Sequence, residues 1–177
     1  YSLAMKYFRP FDKFAEHLAF KRTIEVGRTC SELGIASELG LISDYGGLLE
    51  CVSNEGAVSR RPNSDPLGLL IDQAYVGNGL LSAYERTGDP TYLESAKKVF
   101  RWVLSNLSYD VGFLDVRPLD PITSKPVVDP LMNSEFAVFA SRLWLATGEE
   151  EALKATEKAI KASAWSESPL VESRLAI

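Results

Sequence analysis

The residues of this chain best suited to chemistry are carboxylates and amides near the starts of two predicted helices. Asp72 falls in the first turn of one helix and Glu135 in the first turn of another, while Asp115 and Glu50 lie in long connections. Two carboxyl groups held roughly 5–10 Å apart are the constellation of glycoside hydrolysis, one protonating the leaving oxygen and the other acting as base or nucleophile. Asp72, Glu135 and Asp115 are accordingly candidate catalytic residues, with Glu50 as an alternative partner and substrate contact. A carboxylate at a helix start also has a structural use, because it accepts bonds from free N–H groups and gains from the helix dipole. Both readings stand for Asp72. Gln73 and Asn133, at corresponding places in their helices, are candidate substrate-binding amides. Tyr45, Tyr75 and Phe113 join them as rings able to stack on a sugar. Trp102 and Trp144 read as core.

Other chemistries are poorly provided for. His17 is the single histidine, which argues against a His-rich zinc site, a Ser-His-Asp triad and histidine-based epimerisation. Neither a metal nor a cofactor is expected. Cys30 and Cys51 form no CxxC pair and read as two ordinary thiols of a reducing compartment, which predicts a cytoplasmic location. Gly77-Asn78-Gly79 lies inside a predicted helix and suits close helix packing rather than a phosphate cradle. A net charge of −5 speaks against nucleic acid and acidic membrane surfaces, and Lys97-Lys98 and Arg60-Arg61 are too short to form a basic stripe. No apolar run approaches the roughly 20 residues of a membrane span.

The elements that must position these residues repeat with a step of sixty. The run from Ser82 to Asp89 lies over that from Arg142 to Glu149, and the register continues through Leu93 over Leu153 and Phe100 over Ile160. Each copy reads as an apolar inner helix, a Thr-Gly-acid turn and an amphipathic outer helix. The predicted helices are 69–86 and 91–107, then 131–146 and 150–163. Gly88 sits where a left-handed cap is wanted, and Asp89-Pro90 supplies an N-cap and a first-turn proline. Residues 2–41 read as mostly helical, and residues 165–177 show no clear pattern. Connections 43–66 and 108–130 are long enough to be functional. They share an order, with Gly47 or Gly112, an apolar stretch, then Arg-Pro; the run Leu48 to Val52 reads as a short strand. Repeated two-helix units imply stacked hairpins.

Three stretches, Asp72-Gln73-Ala74-Tyr75, Tyr84 to Leu93 and Gly112-Phe113-Leu114-Asp115, resemble one family. It comprises thioredoxin-domain-containing proteins whose C-terminal region is similar to six-hairpin glycosidases and N-acylglucosamine 2-epimerases. The resemblance covers about residues 46–162. It implies an all-α fold, a partial (α/α) toroid of about three helical hairpins with short β elements in its long loops, forming one domain over residues 1–177. It also implies a carbohydrate-like cavity at the mouths of the inner helices. A full ring needs roughly twice this length, and the thioredoxin cysteine spacing is absent here.

Three functions follow as expectations. The chain binds or hydrolyses a carbohydrate; it is a non-catalytic helical-repeat domain for a peptide or subunit; or it is a fragment of a larger thioredoxin-domain protein. Open hairpin edges predict self-association or contact with further hairpins.

Overall fold

The computed structural model describes residues 29–118 and 125–164. The expectations for residues 2–28, for His17 and for residues 165–177 lie outside the described residues. The described elements are α1 (Cys30–Glu38), α2 (Gly46–Leu49), α3 (Leu70–Thr87), α4 (Pro90–Asn106), β1 (Ser108–Tyr109), β2 (Gly112–Phe113), α5 (Pro130–Thr147) and α6 (Glu150–Ser163). The chain is therefore mostly helical, with one small antiparallel β-hairpin among the described residues, Ser108 opposite Phe113 and Tyr109 opposite Gly112. No helix among them is long and apolar enough to cross a membrane.

The two helical hairpins, α3–α4 and α5–α6, turn in the same way because the same short sequence dictates the bonds. Gly88 (φ 72°) and Gly148 (φ 73°) adopt the left-handed conformation that a β-carbon would penalise. Their N–H groups donate to the carbonyls of Tyr84 (2.8 Å) and Trp144 (2.7 Å). Thr87 Oγ1 donates to the Ala83 carbonyl at 2.7 Å and accepts from the Asp89 N–H at 3.2 Å. Thr147 repeats both bonds, to Leu143 and from Glu149. The carboxylate of Asp89 then accepts from Thr91 N–H ahead of the first-turn Pro90, and α4 starts.

Outer helices bury one face. Ala96, Val99, Phe100 and Val103 of α4 point inward while Glu94, Lys98 and Arg101 meet water. The buried face of α6 carries small residues, Ala152, Ala155, Ala159 and Ala162. Helix α3 is buried almost all round from Leu70 to Ala83, because α1 and α5 flank it and α4 packs against it. Its glycines set the spacing: a β-carbon on Gly77 would lie 2.5 Å from the Phe139 ring of α5, and one on Gly79 would lie 2.6 Å from the Gly34 Cα of α1. Close packing is thus the use of Gly77-Asn78-Gly79. Phe100, Phe113, Phe136 and Phe139 fill the space between α4, β2 and α5, with Phe113 and Phe136 centred 4.6 Å apart.

Several expectations change. Cys30 and Cys51 are not free thiols but form a disulfide, with Cα atoms 5.8 Å apart and both residues fully buried. Residues 46–49 make a helical turn rather than a strand, which brings Cys51 under α1; only Val52 bridges to Val58. Trp144 is not core: it is 36% exposed and its neighbour Leu145 is 75% exposed. Trp102 is buried as expected. Phe100 is buried, but its counterpart Ile160 is 39% exposed, so the two outer helices are not covered alike.

The disulfide closes a loop with a sequence separation of 21 residues. Replacing both cysteines by serine is expected to lower unfolding free energy by about 3 kcal/mol. Urea titration of the variant and parent measures this, and coincident midpoints would contradict it.

Candidate functional site

The long connections are pinned by side-chain amides. In the first, the Val58 N–H donates to Gln73 Oε1 at 3.1 Å and Gln73 Nε2 donates to the Val58 carbonyl at 3.5 Å. In the second, the Phe113 N–H donates to Asn133 Oδ1 and Asn133 Nδ2 returns a bond to the Phe113 carbonyl, both at 2.9 Å. Two residues beyond each pinned position, the carbonyl accepts from the first N–H of the preceding inner helix. Arg60 takes the N–H of Cys30 (3.0 Å) and Asp115 that of Leu70 (2.9 Å). Each connection is therefore stitched across two adjacent inner helices. The counterpart of the segment ending at Asp115 is the one ending at Arg60, and not the run that follows Gly47.

This geometry gives most of the proposed site residues framework positions. Gln73 and Asn133 are fully buried with both ends of their amides engaged by backbone. Among the rings, Phe113 is fully buried and Tyr75 is buried. Tyr45, also buried, meets the ring of Tyr92 edge-on at 6.1 Å. Glu135 is fully buried in α5, whereas Glu50 is exposed just after α2. Asp72 is buried but caps no helix end: α3 has no side-chain cap. Its carboxylate instead accepts from the hydroxyl of Ser31 in α1 and from Arg60 Nη1 at 3.3 and 3.4 Å. It thereby ties α1, the first connection and α3 together. Truncating one member of such a pair leaves a buried charge uncompensated.

Asp115 differs. Its backbone is held on both sides, the N–H donating to the Val127 carbonyl at 3.0 Å and the carbonyl accepting from Leu70. The next residue, Val116, bridges to Leu69. The side chain is partly exposed, but Oδ1 is buried with no hydrogen-bond partner among the described residues. Burial holds its pKa above the ordinary carboxylate value; backbone N–H donation, chiefly from Val116, opposes the rise, and the charge of Asp129 adds to it. Asp129 was missed by the sequence reading. It is the N-cap of α5, accepting from the Met132 N–H at 2.9 Å ahead of Pro130. The Asp-Pro signal recognised at Asp89-Pro90 also stands at Asp129-Pro130 and could have located it. Thus one inner-helix mouth carries a closed Arg60–Asp72 pair, and the other carries Asp115 beside Asp129. No group of three His, Cys, Asp or Glu side chains able to hold a metal ion occurs among the described residues.

Asn133→Ala would leave the buried N–H and carbonyl of Phe113 without partners. A loss of about 3 kcal/mol is expected in denaturant unfolding, and a cost below about 0.5 kcal/mol, typical of a neutral surface change, would refute the pinning role. For Asp115 the sign follows from its raised folded-state pKa. The group favours folding fully below its unfolded pKa, and that contribution disappears as pH rises through the folded value. Asp115→Asn should therefore gain melting temperature relative to the parent at pH 7 and lose that advantage near pH 3. A pH-independent difference would contradict the desolvation. In comparisons with known proteins, no family model matches this chain, and no curated protein matches it.

Proposed function

We propose that this chain is part of an (α/α) toroid and that the mouth formed by its second connection binds a carbohydrate and hydrolyses its glycosidic bond. Asp115 protonates the leaving oxygen as the glycosidic C–O bond breaks, water adds to the anomeric carbon and releases a proton that restores Asp115, and Asp129 keeps the site electronegative beside it. The observation that carries this reading is the partly exposed Asp115 carboxyl with a buried, unpartnered oxygen and an upward-shifted pKa. A general acid must hold its proton at working pH, and desolvation beside a second carboxylate is how glycosidases arrange that. Two further features support it: α1, α3 and α5 pack in sequence, and the long connections gather at the starts of α3 and α5. Asp72 is assigned to the framework in this scheme because Arg60 and Ser31 occupy its carboxylate. The buried Cys30–Cys51 bond favours an oxidising compartment over the cytoplasm, since cytosolic thiols are kept reduced.

The test is turnover of a panel of aryl glycosides and oligosaccharides by the parent, Asp115→Asn and Asp129→Asn proteins. Asp115→Asn is expected to lower kcat by about 10²–10⁴-fold with KM little changed. The parent's rate should fall on the basic side as Asp115 loses its proton, and Asp115→Asn should lack that limb. Undiminished turnover in Asp115→Asn, or no turnover of any glycoside by the folded parent, would overturn the reading.

A further inference from the structure

Helix α6 and the tight turn between β1 and β2 line a further concave surface, whose walls include neither Asp115 nor Asp129. A groove of about 490 Å³ is lined by Asp110, Val111, Lys154, Glu157, Lys158 and Lys161. Beyond Val111 lies an apolar pocket of about 220 Å³, bounded also by Val128, Pro130 and Ala162. Val111 belongs to both walls and is 59% exposed, so the polar groove and the apolar pocket meet at an uncovered aliphatic side chain. Together they reach the roughly 300–1,000 Å³ of small-ligand sites.

The charges along this groove run against those of the whole chain. Lys154, Lys158 and Lys161 are spaced by four and three residues and so lie along one helix face. Three cations face two acids, Asp110 and Glu157, on a protein of net charge −5. Lys158 is already ordered, with Nζ donating to Ser108 Oγ at 2.8 Å and standing 5.2 Å from the centre of the Phe113 ring. An ammonium fixed in this way loses little further entropy when an anion arrives. Lys154 is bonded to Glu150 at 2.9 Å, but both side chains are largely exposed, and such a pair is easily exchanged. Lys161 is exposed and takes part in none of the ion pairs among the described residues.

We infer that this surface binds a small anionic amphiphile, a carboxylate with an aliphatic tail. The head group meets Lys158 and Lys161, and the tail crosses Val111 into the pocket beside Pro130 and Ala162. A wholly polar anion would leave the apolar pocket empty, and a neutral amphiphile would leave the lysines without a counter-charge. The inference is independent of the hydrolase reading, because it uses none of the residues assigned to that reaction.

Isothermal titration of the full chain with octanoate tests it, with acetate and octyl glucoside as head-only and neutral-head controls. Saturable octanoate binding is expected, at least about tenfold tighter than either control. Lys161→Met and Val111→Asp should each weaken it by about tenfold, and added salt should weaken it further. Lys161→Met alters an exposed helix position and keeps the test decisive should Val111→Asp fail to fold. No saturable octanoate binding, equal affinity for octyl glucoside or acetate, or octanoate affinity unchanged in folded Lys161→Met would each overturn the inference.

Discussion

Two buried amides, Gln73 and Asn133, supply the long connections with what a neighbouring strand would otherwise give them. A connection that runs over helix starts carries backbone N–H and carbonyl groups away from water, and each group left unpaired there costs free energy. A primary amide has a donor and an acceptor on one planar group, so it can satisfy both groups of one facing residue. Gln73 does this for Val58 and Asn133 does it for Phe113. The carbonyl two residues along then reaches the free N–H at the start of the adjacent inner helix. Helix order, loop path and the placing of Arg60 and Asp115 all depend on this arrangement.

The same scaffold produces two different mouths because one pair of side chains diverged. Arg60 and Asp115 are held by equivalent backbone bonds, yet one is a cation and the other an acid. Opposite Arg60, Asp72 completes an ion pair and the mouth is closed electrostatically. Among the described residues no cation pairs with Asp115, and Asp129 adds a second negative charge. The raised carboxyl pKa of Asp115 follows from burial, with the charge of Asp129 adding to it, and needs no unusual backbone. Function in a repeated fold is then sought where the copies differ rather than where they agree.

Helix separation is fixed by small residues and cross-chain ties acting together. Gly34 and Gly79 let α1 approach α3, while the Cys30–Cys51 bond and the Ser31–Asp72–Arg60 cluster hold the start of α1 to the first connection. At the other end, Arg86 of α3 donates to the Ser37 and Glu38 carbonyls at the end of α1. Arg142 of α5 reaches Asn78, Ser82 and Glu85 of α3. The inner helices are thus joined by arginines that extend from each helix to the one before it.

Much of this was legible in the residues. The sixty-residue step, the Thr-Gly-acid turns, the Asp89-Pro90 start and the amphipathic outer helices follow from bonds within four residues and from helical periodicity, which the local sequence controls. The mostly helical class follows from the same rules. What the sequence left open, tertiary structure decided, because it depends on which distant segments meet. Cys30 and Cys51 look like unrelated thiols until the 46–49 turn brings them together. Gln73 and Asn133 look like mouth residues until the connections fold onto them. Asp72 and Asp115 are equally plausible acids in one dimension. Only the position of Arg60, against Asp72 and not Asp115, separates a framework ion pair from a carboxyl whose pKa burial raises, since which charges meet is settled by neighbours in space.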